Sequence, residues 1–494
     1  MIVLDRHDAL DVATYRRIVD DGERVEVGEG ALRRLDECRA AMLDAIAAGA
    51  QAYGVTTGLG YLAGRPIAEE DRLALQRSLL LGRAVAVGPP LPPVVVRGAM
   101  LLRLTGFLDG AAAVGSGLCR FLADRLNDGF VPYVPAGPHG AAGEVTQLAH
   151  LCAAFVGEGL VLEDGEPVPA ADALRSRGVQ RLEPGLKEGI ALVNGAPFAP
   201  ALTAPLLWQA SDLLETATIA AALSLAVTGA SARAWSPRIG ALKGDPTQVG
   251  VHERLRELLD GGRLDDRPQS PVSLRVVPQV HGAVGDVLAQ AEAQLDRELH
   301  AVTDSPLYLQ AAGGEPAGFY PSGNFHAQAL AFALDSLAIA FAQLANLAEK
   351  RLHRLLDARF SGLSEQLAVE PGRHTGAVVL HKAVVGLCAE NRLLAAPASA
   401  AAFDTSAGQE DVEAFTPLAA GKLGRLLANV ELVLAYELTA LAQACHLAAV
   451  ELPPALERVA ERLCAEVAPI VEDRPLARDV EGVRDLVRSR GLLY

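Results

Sequence analysis

Six short stretches carry the residues that could do chemistry. YGVTTGLG, residues 53–60, opens on Tyr53 and runs through three glycines and two threonines. Such a loop either turns around a packed aromatic ring or places a phenol, a proton donor and acceptor, in a reaction site. LVNGAPFAP sets Asn194 on a Gly-Pro loop, and SPVSLRVVPQVHG sets Arg275 among apolar residues, in a strand or loop where a structural carboxylate would be its ordinary partner. SGNFHAQALAF places Asn324 and Phe325 just before a long helical run, and DTSAGQEDVEAF places Gln409 and Glu410 in a polar knot between two helical runs. The sixth, VPAGPHGAAGEVTQLAHLCAAFVGEG (residues 134–159), packs Gly137, Gly140 and Gly143 into seven residues before it turns apolar and helical. That density of glycine implies a backbone conformation other residues resist.

Familiar sites of other kinds are absent from the sequence. There is no H-E-x-x-H and no His/Cys grouping at zinc spacing among the eleven histidines, so no metal ligand set is expected. No phosphate-binding G-x-x-x-x-G-K-[ST] or G-x-G-x-x-G opens a helix after a strand, and no G-x-S-x-G supports a serine hydrolase. The chemistry is expected in the loops.

The elements that must hold those loops read as helices. QALAFALDSLAIAFAQLANLAEKRLHRLLD (328–357) has no Gly or Pro, and GKLGRLLANVELVLAYELTALAQACHLAAV (421–450) forms a second long apolar run. Segments 53–66, 131–143, 193–200, 263–281 and 303–325 read as irregular, ordered and buried loops. The expected fold is mainly all-α. Residues 1–200 form a loop-rich domain with the Tyr53 and 140–143 loops, 201–450 a long-helix bundle at the oligomer core, and 451–494 a helical tail. The chain of 494 residues is 50% hydrophobic, enough for a large core. Its net charge of −16 argues against nucleic acid and anionic membranes as partners. The uncharged run 216–232 suits a helix buried within a soluble protein better than a membrane span. Six scattered cysteines without C-x-x-C read as reduced thiols of a cytoplasmic protein.

Taken together and in order, these stretches resemble the histidine and aromatic amino acid ammonia-lyase family and its aminomutases. VRGAMLLRLTGFLDGAAAVG, PSGNFHAQALAFALDSLAIAFAQL and PASAAAFDTSAGQED extend the resemblance from about Val25 to about Val450. It implies an almost all-α homotetramer whose active sites are built from loops of three chains, and a reaction that removes an amine and a β-proton from an α-amino acid. Under it, Tyr53 is the general base and Arg275 grips the substrate carboxylate through a bidentate pair. Asn194, Asn324, Phe325, Gln409 and Glu410 surround the amine and the electrophile. A tyrosine base needs positive charge nearby to release its proton near neutral pH.

In that family the glycine-rich loop carries Ala-Ser-Gly, which closes into a methylidene-imidazolone. The Gly nitrogen attacks the Ala carbonyl, and the serine loses its hydroxyl to leave an electrophilic methylene. Here the triad is Ala141-Ala142-Gly143, and Ala142 has no leaving group on its β-carbon. Further departures gather around the same site. Glu144 stands for Asp, Gln147 for Pro, Val272 for the Tyr of Y-S-L-R, Pro197 for the Gln of N-G-T-Q, and Arg83 for the His of L-L-x-S-H-A. Arg83 lies where the family reads the far end of the substrate side chain. It either pairs with a nearby carboxylate or, with Arg275, holds a substrate anionic at both ends.

The expectation is an enzyme without the electrophile and without another cofactor: a lyase, or a related elimination, addition or cyclisation catalyst. It would use Tyr53 as acid/base on a small carboxylate-bearing, amino-acid-like substrate. The alternatives are an ordinary ammonia-lyase or aminomutase silenced at Ala142, and a pseudoenzyme that binds a ligand or partner.

Overall fold

In a computed structural model that describes residues 1–137, 140–261, 269–448 and 450–493, helices dominate, and only short strands accompany them. The apolar runs become the helices Phe198–Val227, Gln328–Leu355 and Thr416–Leu447, each lined with residues of almost no exposure. Glu188–Val227, Gln328–Leu355 and Thr416–Leu447 are long and apolar enough to cross a membrane by length and composition alone; most of each apolar window is buried inside the protein. The residues after Leu452 form the helices Pro454–Glu466 and Ala477–Arg488.

The chain divides into two compact units. The first comprises Met1–Pro205, Ala293–Phe332 and Ala398–Ala420; the second comprises Leu206–Glu292, Ala333–Pro397 and Gly421–Tyr494. The sequence reading of 1–200, 201–450 and 451–494 follows the order of the chain, whereas the units are assembled from separated segments. The crossings at Pro205, Glu292, Phe332 and Ala420 fall inside helices, so one helix can serve two cores.

Two segments expected to be irregular have more structure than composition suggested. Within 263–281, of which 262–268 lie outside the described residues, Val272–Arg275 is a helical turn and Val277–Leu299 a long helix. Arg275 therefore ends a helical turn rather than lying in a strand or loop. Pro278 sits in the first turn of the long helix, where a missing N–H costs nothing. Val277, Val284, Leu288, Ala291, Leu295 and Leu299 then repeat at helical spacing and are buried. Within 303–325, Leu307–Leu309 pairs antiparallel with Gly318–Tyr320.

Candidate active site

The first unit carries an open cavity of about 740 Å³. Its lining brings together Tyr53, Arg83, Ala141, Ala142, Gly143, Asn194, Phe325, Gln409 and Glu410 from six separate stretches of chain. Asn324 does not join them: its Nδ2 donates to the Val302 carbonyl at 3.1 Å. Arg275 and Val272 belong to the second unit and are not in this lining. There Val272 is exposed, and Gln269, with its amide oxygen turned toward Arg275, accepts from Nη1 at 2.6 Å and Nη2 at 3.0 Å. Pro138 and His139, beside the triad, lie outside the described residues.

The Tyr53 loop is fixed from below. Gln76, fully buried, donates through Nε2 to the Gly54 carbonyl at 2.9 Å and accepts at Oε1 from the Ile190 amide at 3.1 Å. It thereby ties the loop to the helix Glu188–Val193. At the far end of the loop Gly60 adopts a left-handed φ of +53° and donates its N–H to the Tyr53 hydroxyl at 2.8 Å. No acceptor for the hydroxyl's own hydrogen is found among the described residues, which leaves that proton available to the cavity. Tyr53 is therefore more than a ring packed in a turn.

The 140–144 loop is held by two carboxylates. Glu410 accepts from the Ala142 amide at 3.2 Å and is itself oriented by Ser406 Oγ, which donates to its other oxygen at 3.0 Å. Glu144, buried, reaches the start of the helix Phe198–Val227 and accepts from the amides of Phe198 at 2.5 Å and Ala199 at 2.6 Å. These are amides that a helix N-terminus leaves without intrahelical partners. Burial pushes the Glu144 carboxyl up to about 8, against the two amides and the Arg103 charge, which lower it. Gly137 and Gly143 answer to space rather than to handedness, contrary to the reading of the loop's glycine density. Neither Gly137 nor Gly143 has a left-handed φ; a Cβ on Gly137 would lie 2.4 Å from the Val87 carbonyl oxygen, and one on Gly143 3.3 Å from that of Gly195.

Asn194 is oriented from both sides. Its Nδ2 donates to the Ser305 carbonyl at 2.6 Å, and its own carbonyl accepts from the buried Arg103 at 2.8 Å. The 303–305 strap that receives it is anchored by a buried ion pair, Lys187 Nζ to Asp304 at 2.6 Å.

Arg83 follows the helix Arg72–Leu81, and its segment is pinned where the Ala86 amide donates to His150 Nε2 at 2.9 Å. Among the described residues no carboxylate lies within ion-pair distance of Arg83 and no hydrogen-bond partner is found. Burial pulls its pKa down, while the nearby Tyr53 and Glu410 act to keep it charged. Neither Ser406 nor the capping role of Glu144 stood out in the sequence. Ser406 lies in the polar stretch already singled out, but the partners of Glu144 are |i−j| = 54 and 55 residues away.

The residues present do not fit a methylidene-imidazolone. Glu410 holds the Ala142 amide and Gly143 stands close against the Gly195 carbonyl, but the Ala142 methyl carries no group that could leave.

A mainly helical fold with a phenol, a guanidinium and a carboxylate grouped over a glycine-rich loop is that of the ammonia-lyase class. The profile of the family described as "Aromatic amino acid lyase" matches residues 10–468, and the chain belongs to that family, and so to the carbon–nitrogen lyases. It is 40% identical over 448 residues to a histidine ammonia-lyase of Symbiobacterium thermophilum, covering 89% of this chain and 88% of that one. Among solved structures it is similar to an ergothionase from Treponema denticola, an ergothioneine-degrading enzyme (TM-score 0.94, 26% identity, covering 100% of this chain and 99% of that one). It is also similar to a tyrosine aminomutase from Streptomyces globisporus (TM-score 0.92, 29% identity, 100% and 97%).

Proposed function

We propose that this chain is a lyase that works without a methylidene-imidazolone, with Tyr53 as acid/base on a small carboxylate-bearing, amino-acid-like substrate. The observation that carries the reading is the lining of one cavity: Tyr53, Asn194 and Glu410, with the divergent Arg83, grouped around an Ala142 that lacks a leaving group. An unactivated amine is a poor leaving group and its β-proton is weakly acidic. Without the electrophile, the substrate must bring a better leaving group or a more acidic β-proton. The reaction is then an elimination, its reverse addition, or a cyclisation. The Tyr53 hydroxyl moves the proton, and Asn194 and Glu410 position the departing group.

The unpaired Arg83 supports a substrate with an anionic far end. Arg275 holds the carboxylate in a homotetramer whose sites are completed across subunits, and the protein works in the cytoplasm.

Intact mass and a substrate panel test this. The expected mass is that of the unmodified sequence. Loss of two waters would overturn the reading, and loss of one would mean that the ring closes without its methylene. The Ala142→Ser variant should turn over histidine, phenylalanine and tyrosine weakly or not at all; robust turnover would make the chain an ordinary lyase silenced at one position. Ergothioneine belongs in the panel because the Treponema relative degrades it.

A further inference from the structure

No metal-ligand spacing stands out in the sequence, yet the second unit gathers three side chains of that kind. Glu349 and His353 stand four residues apart on the helix Gln328–Leu355, so both leave it on one face, a turn apart. His381 meets them from the helix Val378–Leu394: its Nε2 lies 2.6 Å from Glu349 Oε1. Its ring stacks on that of His353, with 4.8 Å between centroids and 18° between planes. One donor atom from each of the three residues lies within 4.8 Å of the other two. The second Glu349 oxygen is held by Lys350 Nζ at 2.7 Å, which leaves Oε1 as the oxygen turned to the imidazoles. Glu349 is buried, His381 half-buried and His353 exposed, so the carboxylate forms a floor and the rings a rim open to solvent.

Two imidazoles and a carboxylate, with one position left open, are a donor set that suits Zn²⁺; Ca²⁺ and Mg²⁺ select all-oxygen sites. Ligand atoms about 2.0–2.1 Å from a tetrahedral zinc stand roughly 3.4 Å apart, so the hydrogen-bonded Glu349–His381 pair must open by about 0.8 Å and a donor pair at the outer limit close by about 1.4 Å. Rotation of the exposed His353 side chain can supply the closing movement.

We propose that Glu349, His353 and His381 form a divalent-cation site of zinc type that clips these two helices together. On binding, the cation replaces the proton shared by His381 Nε2 and Glu349 Oε1, which leaves to solvent. No oxidant or reductant is involved, and none of the groups assigned to the reaction takes part.

The test uses the full chain stripped with a chelator. Zn²⁺ is added as the metal alone and followed by calorimetry, and Co²⁺ is followed by visible absorption. The expected result is about one Zn²⁺ per chain at micromolar affinity or tighter, a proton released, a cobalt spectrum of four-coordinate intensity and a raised Tm. His381→Ala and His353→Ala should each weaken binding by about tenfold or more. His353 is exposed, so its removal leaves the fold intact, which circular dichroism checks. Zinc affinity unchanged in either variant, or wild-type binding only at millimolar metal, overturns the site.

Discussion

Two loops face the same cavity, and they have kept different things. The 53–60 loop retains its reactive atom: Tyr53 presents a hydroxyl that receives a hydrogen bond from Gly60 and has its own proton uncommitted. The 140–144 loop retains its mounting and lacks the atom. Ala142 is held by Glu410, and Glu144, where the family has Asp, caps the helix Phe198–Val227, but the side chain between them is a methyl group. The difference teaches that the groups that shape a loop and the group that reacts on it are separable. The shape of the 140–144 loop is maintained by carboxylates and backbone amides that need no serine.

That contrast is most exposed to a change in the reactive loop. Tyr53→Phe keeps the ring and removes the hydroxyl. It should fold and assemble normally, bind substrate within a few-fold, and lose about a hundredfold to ten-thousandfold in turnover. Steady-state rates near wild type would mean that both loops are scaffolds, and the pseudoenzyme reading would gain. Arg83→Gln comes next. Loss of one charge-assisted contact should raise KM about tenfold to hundredfold for a substrate with an anionic far end, with kcat little changed. An unaltered KM would show that the unpaired guanidinium does not read the substrate.

The mounting of the silent loop is tested through stability. Glu144→Ala removes the acceptor of two helix-end amides and should lower the unfolding free energy by about 2 kcal/mol. Denaturant titration measures it, and a loss no larger than that of Tyr53→Phe would contradict the capping role. The same group also acts through pH. The ordinary value of the Glu144 carboxyl is 4.5, and burial in the folded protein pushes it up to about 8. Between those values the unfolded chain has released a proton that the folded chain keeps. Stability therefore falls as pH rises from about 4.5 to about 8, by up to about 1.4 kcal/mol per pH unit, and is unaffected by this group below that window. Unfolding curves across the window should flatten in Glu144→Ala; an equal slope in both proteins would place the pH dependence elsewhere.

Much of this was legible in the residues. The Gly- and Pro-free run from Gln328 foretold a helix that ends at Leu355, and the Gly/Thr composition of 53–60 marked a loop. The run containing Val272 and Arg275 was misread because its serines and prolines look like breakers, whereas Pro278 sits where a helix start tolerates it. Gly137 and Gly143 were read as conformational when they are steric, a distinction that depends on what lies against them: the Val87 and Gly195 carbonyls.

The sequence by itself determined that Ala142 cannot give a methylene, because that is a matter of covalent composition and holds in any fold. It also determined the long helices, because their apolar period is local. Only the tertiary structure decided that Glu410 would hold Ala142 from |i−j| = 268 residues away, that Arg83 would enter the cavity without a carboxylate partner, and that Glu144 would cap a distant helix. Those outcomes depend on which buried polar groups reach one another once the chain has closed, and no local pattern encodes that distance.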